Sequence, residues 1–396
     1  MRKQDNYKDT NMQKETYDVV VVGAGVVGCS VSYHLAKSGL KVALVDKGSA
    51  AGEASQAAAG MLAPLGDEAP NQEHPLQQLG MAALGYYDGL DEQLKQETGI
   101  DIGLVDVPTL RPAFDEQGVA QLQALFTRQQ HFLPGLQWLD GSLVHKIEPL
   151  LPETVQGALL SPYERSVQAA RITLAYARGA AIRGAHLVEG CPVGRLIRQG
   201  QRVVGVETTQ GPMYAGVIAL AAGAWATQWH TRTSIPPIFP VKGQMMALQA
   251  PPSLHLRHTV YAYGVGGIVP KSNGTIYVGS TVEQAGFDKA VTAGGIATLL
   301  TVVAKLTPDL NRARFVHAWA GLRPGSADGL PLIGPSQSVQ GLWIAGGHFR
   351  DGILLGPLTG HILAELIQKH STPFGLDLQA FNPDRFGGWD SASSLT

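Results

Sequence analysis

The chain has 396 residues, 30 Lys and Arg against 32 Asp and Glu, a net charge of −2 and 16% charged residues. At 44% hydrophobic residues it is apolar enough to collapse, which excludes disorder over most of its length, and its balanced charge argues against a nucleic-acid partner. Glycine is in excess, 48 of 396, with no three-residue period; collagen is excluded and backbone brought close to a large ligand is expected.

At roughly 150 residues per domain the length predicts two or three domains. Residues 1–16 are polar, lack an apolar core and read as a flexible tail rather than a secretory signal; residues 387–396 read as a second loose tail. No run of 18 uninterrupted apolar residues occurs, so no membrane span is predicted and the cytoplasm is the expected address. Cys29 and Cys191 stand too far apart in a chain this large for a disulfide scaffold.

In chain order, YDVVVV at 17–22 predicts a buried parallel strand. The turn Gly23-Ala24-Gly25-Val26-Val27-Gly28 follows, then a helix ending at Gly39, then a strand at 41–45 that ends in Asp46. Helices are expected at 79–98, 117–130, 171–185 and 294–306, and an amphipathic one at 358–369. Strands are expected at 203–206, 216–220 and 342–345, and two more between 261 and 281 around the turn Ser272-Asn273-Gly274. Nucleotide-type elements thus recur near 20, 220 and 345. The expected class is α/β, with a Rossmann-like domain built from discontinuous segments (17–86, 152–232 and 320–372). An α+β substrate domain with an antiparallel sheet comprises 87–151 and 233–319, and the tails are 1–16 and 373–396.

The turn has a physical logic. Gly23 permits the tight turn, Gly25 lets backbone approach a pyrophosphate, and Gly28 lets the helix pack closely on the strand. The helix N-terminus offers free N–H groups and a positive dipole end. Asp46, eighteen residues after Gly28, can accept from a ribose hydroxyl and disfavours a 2′-phosphate, which points to FAD or NAD rather than NADP. GEASQAAAGML at 52–62 allows a wide cofactor to lie against backbone, and equally reads as an Ala-rich helix start packed in a core.

Together the N-terminal unit, SQAAAGML, Val241-Lys242-Gly243, Ile268-Val269-Pro270, AGLRPGSADGLPLIG and AGGHFRDGILLGP resemble the D-amino-acid oxidase superfamily of flavoproteins, and within it the glycine oxidases of thiamine biosynthesis, over about 17–367. The resemblance implies non-covalent FAD held by the glycine turn with Val26 and Val27, by Asp46 and Lys47, and by Ser55, Ala59, Gly60 and Met61. It adds Val193 at the adenine and the loop His348, Phe349, Arg350, Asp351, Gly352, Ile353 and Leu354 over the flavin ring. Some sarcosine oxidases tether flavin through a cysteine near the position of Arg323 and Pro324; none occurs here.

It further implies a substrate carboxylate held by Arg323, with Arg350 as a second pocket arginine, a guanidinium being a planar match for a carboxylate. Hydride would pass from a neutral amine to flavin N5 with no dedicated acid or base. The imine would hydrolyse to a 2-oxo acid, and dioxygen would become hydrogen peroxide. A homo-oligomer, tetrameric in much of the family, is also implied. One position departs: the family's pocket tyrosine is replaced by Gly267, so Tyr261 or Tyr263 supplies the phenol from a shifted loop, or the pocket is larger. Glycine, sarcosine, other N-alkyl glycines, D-amino acids and proline-like amines stay open, as do a dehydrogenase with another electron acceptor and a non-catalytic flavin protein. His255 and His258 have no third ligand at suitable spacing, so no metal site is expected. Cys29 is expected as buried packing, and Asp351 as an ion pair or loop cap. Without a G-x-S-x-G elbow a hydrolase is unsupported.

Overall fold

The computed structural model describes residues 16–64, 75–131, 133, 135–229, 238–369, 371 and 373–386. The β-branched run near the front forms the strand Thr16–Val22, with Val19, Val20 and Val21 at most 1% exposed. A strand buried on both faces needs cover from both sides and suits the middle of a parallel sheet. It lies between Gly211–Leu220 and Val42–Val45, both parallel to it; Leu342–Gly346 and His186–Val188 extend the parallel set on either side. Three antiparallel strands, Leu332–Pro335, Val193–Gln199 and Arg202–Thr208, complete this eight-stranded sheet. The parallel strands come from distant parts of the chain, yet their carboxyl ends share one edge, where α/β sheets bind ligands.

The helix Val26–Lys37 packs against Gly352–Lys369 and Ala169–Ile182. Contact with the former is close: a Cβ on Gly356 would stand 2.7 Å from Val26 Cγ1. Pro357 lies inside that helix and has no N–H to give Ile353. The Tyr87 hydroxyl supplies the missing donor to the Ile353 carbonyl at 2.5 Å, and Ser30 Oγ donates to the Pro357 carbonyl at 2.9 Å. The helix expected from 358 therefore begins at Gly352.

Two other expectations are corrected by turns. The helix expected over 79–98 is two helices, Pro75–Gly85 and Leu90–Thr98, broken where Gly89 adopts φ 75°. The two strands expected between 261 and 281 are three, Thr259–Ala262, Gly266–Pro270 and Thr275–Gly279, because a second turn at Gly264 (φ 69°) precedes the one at 272–274. The helices expected at 117–130 and 294–306 form as Glu116–Gln129 and Ala293–Leu306. Asp115 and Thr292 cap them by accepting from Gly118 N and Gly295 N.

A second eight-stranded sheet runs Arg314–Gly325, Phe239–Gln249, Thr275–Gly279, Gly266–Pro270, Thr259–Ala262, Thr109–Ala113, Gly157–Ser161, Gln137–Asp140. All its pairs are antiparallel except Thr259–Ala262 with Thr109–Ala113. The strand Gly157–Ser161, placed by the expected boundary at 152 with the nucleotide part, pairs in this sheet, and the boundary at 320 cuts the strand Arg314–Gly325. Residues 373–386, expected as part of a loose tail, pack down. Phe381 is 2% exposed, and Arg385 donates to both Asp328 carboxylate oxygens at 2.8 Å. Of the expected amino-terminal tail 1–16, Thr16 already pairs in the first strand, and residues 1–15, like 387–396, lie outside the described residues. No described helix is long and apolar enough to cross a membrane.

Candidate functional site

A cavity of about 990 Å³ opens at the carboxyl edge of the first sheet and runs to the second. On its wall the chain leaves Thr16–Val22 through Gly23, whose φ of 107° and contact with the Ala221 carbonyl leave no room for a Cβ. A Cβ on Gly28 would overlap the Gly23 carbonyl, so this glycine serves packing and does not line the cavity. The helix Val26–Lys37 has Gly25 at its N-cap and no capping side chain of its own. Ser55 caps it from outside, its buried hydroxyl accepting from Val26 N at 3.0 Å.

Asp46 lies on the wall, with Oδ2 accepting from Ala24 N at 2.6 Å and Oδ1 from Gly48 N at 2.7 Å. The carboxylate is thus oriented by the glycine turn and keeps lone pairs for a further donor. Lys47 also lines the cavity; its ammonium sits 3.3 Å from the Trp225 ring centre and 3.1 Å from Glu53 Oε1. Cys29 is fully buried and its thiol donates to the Ala24 carbonyl at 3.3 Å. Burial pushes its acidity far out of the reactive range, as packing requires.

Gly25, Val26, Val27, Ser55, Ala59, Gly60, Met61 and Val193 line the same cavity, as do His348, Phe349, Arg350, Gly352 and Ile353. Asp351 and Leu354 do not lie on the wall: Asp351 N donates to the His348 carbonyl at 2.9 Å, and Leu354 is buried in the core. His348 is buried, its Nε2 paired with Thr359 Oγ1 at 3.0 Å, and burial pushes its pKa down to about 4. Its ring is therefore neutral at pH 7 and adds no charge to the wall.

Arg323 reaches the cavity from the strand Arg314–Gly325. Its guanidinium lies against Gly243, where any Cβ would overlap it, which gives the glycine of Val241-Lys242-Gly243 its reason. It donates to the Thr281 carbonyl at 3.2 Å and to Ser280 Oγ, both neutral. Burial and the like charge of Arg350 push its pKa down to about 10, so it remains a cation at neutral pH. Arg350 donates to Tyr261 Oη at 3.3 Å, and Tyr261 lines the cavity. Tyr263, the other tyrosine expected there, is 62% exposed and off the wall.

Several wall residues left no sequence signal. Glu283 and Thr281 line the cavity, and Glu283 accepts from Gln244 Nε2 at 2.8 Å and from Thr281 Oγ1 while facing buried Lys242 at 3.5 Å. The contacts of Glu283 with Gln244 and Lys242 join residues about forty positions apart, which no local pattern reveals. Ala221–Trp225 also line the wall, where a nucleotide-type element near 220 was expected. His258 Nδ1 lies 3.1 Å from buried Glu148 Oε2, and no group of three metal-binding side chains occurs among the described residues.

A cavity of this volume, lined by a glycine turn, an oriented carboxylate and two guanidinium groups, fits a large dinucleotide such as FAD. Residues 18–366 match the family model of FAD-dependent oxidoreductases, the DAO family, and the chain belongs to that family. It is 37% identical to the glycine oxidase of Geobacillus kaustophilus, over 94% of this chain and 98% of that one. The crystal structure of glycine oxidase from that organism superposes with a TM-score of 0.89 at 36% identity, covering 94% of this chain and 99% of the other. The bifunctional protein ThiO/ThiG of Trichormus variabilis is 31% identical over 94% of this chain, which spans 55% of that protein. The chain is an FAD-dependent oxidoreductase of glycine oxidase type.

Proposed function

We propose that the protein oxidises glycine or another small amino acid or amine, consuming dioxygen and releasing hydrogen peroxide. Arg323 carries this reading. It is a cation in the cavity wall whose hydrogen-bond partners are neutral, with a second guanidinium nearby. Such a group is stabilised by an entering anion, and a carboxylate matches its planar fork.

In this reading Arg323 binds the substrate carboxylate and fixes the α-carbon. Arg350 and Tyr261 form the second side of the pocket. The first sheet with its glycine turn holds the cofactor, Asp46 taking the ribose, while the second sheet carries the substrate. When bound, FAD accepts the two electrons of amine oxidation and passes them to dioxygen. The protein contributes positioning, since oriented binding alone removes much of a bimolecular barrier. The product imine leaves to hydrolyse to a 2-oxo acid. Non-covalent FAD, a homo-oligomer, the cytoplasm and a place in thiamine biosynthesis complete the reading. The last is supported by the likeness to the ThiO/ThiG protein.

An anaerobic screen of glycine, sarcosine, D-alanine and proline against the holoenzyme, read by flavin bleaching, tests it, with peroxide measured on readmitting air. Bleaching and stoichiometric peroxide are expected. Protein that takes up no FAD, or bound flavin that no small amine bleaches, sinks the proposal. Bleaching with dye reduction but negligible peroxide moves it to a dehydrogenase.

A further inference from the structure

Lys271 follows the strand Gly266–Pro270 and is only 6% exposed, although lysine is almost never buried without a charged partner. Its ammonium donates to two backbone carbonyls, Ala59 at 2.7 Å and Val167 at 2.8 Å, and lies 5.4 Å from the Tyr277 ring centre. It does not line the cavity; Ala59, Gly60 and Met61 do, so the amine stands behind that wall.

The wall there is held from several directions. Val167 N donates to the Gly60 carbonyl at 2.8 Å, and Trp319 Nε1 donates to the Ala57 carbonyl at 2.9 Å. Gly60 has φ 77°, and a Cβ there would overlap the Val167 carbonyl and stand 3.3 Å from Lys271 Nζ. Lys271 and Trp319 both belong to the second-sheet side of the molecule, so donors from that side grip a segment that faces the first sheet's glycine turn. Burial disfavours the charged amine and pushes its pKa down to about 7, a cost that the two carbonyls only partly offset.

We propose that Lys271 is a positioning residue for the flavin: by holding the Ala59 and Val167 carbonyls it fixes Gly60 and Met61 against the cofactor. It acts through the backbone and touches neither substrate nor reacting atoms. The proposal rests on the reading that FAD lies along Ala59, Gly60 and Met61. Misplacement by about 1 Å can cost on the order of 100-fold in rate, so a loosened wall should register in turnover.

The test compares wild-type, Lys271→Met and Lys271→Arg holoenzymes by FAD titration, steady-state kinetics and hydrogen exchange of the peptide covering 57–61. For Lys271→Met the FAD dissociation constant is expected to rise roughly tenfold and kcat to fall roughly tenfold. KM should stay within about twofold and exchange should speed up within 57–61. Lys271→Arg, which keeps charged N–H donors, should recover most of the loss. If Lys271→Met does not fold, Lys271→Gln carries the same comparison. If FAD slows exchange at 57–61 in wild type and the neutral variant matches wild type in affinity, exchange and kcat, the role of Lys271 is overturned alone. If FAD leaves exchange at 57–61 unchanged in wild type, the cofactor placement itself is wrong and the proposal falls with it.

Discussion

Tyr261 and Gly267 face each other across an antiparallel strand pair, and the tyrosine ring lies 3.0 Å from where a Cβ on residue 267 would stand. The space above a glycine in a sheet is thus filled by the aromatic partner opposite it, and the phenol reaches the cavity from the neighbouring strand. Tyr261→Phe removes only the hydroxyl that accepts from Arg350. A lost hydrogen bond of about 1 kcal/mol predicts a roughly fivefold rise in KM for amino acids with flavin binding unchanged. Steady-state kinetics with glycine checks this, and an unaltered KM removes the hydroxyl from the pocket.

Arg323→Ala should raise KM severely, by roughly 10-fold to 100-fold, since hydrogen bonds to a charged group are worth about 1.5–3 kcal/mol. FAD should remain bound, because Arg323 donates to Thr281 and Ser280 and not to the glycine turn or Asp46. Gly243→Ala should behave similarly without deleting the charge, because its Cβ would displace the guanidinium. Kinetics and flavin absorbance on the same samples separate the two effects.

Tyr87→Phe should destabilise the protein by about 1–3 kcal/mol, since it leaves the Ile353 carbonyl beside Pro357 buried without its donor. Reversible denaturant unfolding reads this directly. A change below about 0.5 kcal/mol means that another donor replaces the hydroxyl.

His348 has its folded pKa lowered to about 4 from the ordinary 6.5, so the unfolded chain binds more protons between those values. Stability from this group is complete above about 6.5 and is lost as pH falls toward 4. His34 is displaced in the same direction, chiefly by burial, and adds to the trend. Unfolding free energies measured from pH 7 to pH 4 should decline, and the decline should be shallower in His348→Gln. An equal slope in that variant assigns the effect to other groups.

The first βαβ unit was legible because each part is local: a β-branched run, a turn with special backbone angles, a helix and an acid at fixed spacing. Arg323 and Arg350 were legible through their apolar, glycine-rich neighbours taken together with the family resemblance, since an arginine by itself is usually a solvated surface charge. Their convergence, with Arg323 against Gly243 and Arg350 on Tyr261, depends on strand register. The error at 79–98 came from one left-handed glycine, and the helix start at Gly352 was hidden by a proline whose missing donor is made good by Tyr87, 266 positions from the Ile353 carbonyl it serves. Lys271 left no trace, because a lysine beside a Pro-Lys-Ser-Asn-Gly turn has the pattern of a solvated loop.

The parallel strands of the first sheet are drawn from 16–22, 42–45, 186–188, 211–220 and 342–346. During synthesis the amino-terminal βαβ unit is made early, but Leu342–Gly346, which pairs on the far side of its neighbour Gly211–Leu220, and the covering helix Gly352–Lys369 come almost last. A nascent chain therefore carries an unfinished sheet edge for most of its translation, and the cofactor cannot be enclosed until nearly all of the protein has been made. A chain truncated before residue 342 should neither retain flavin nor stay soluble, however intact its glycine turn.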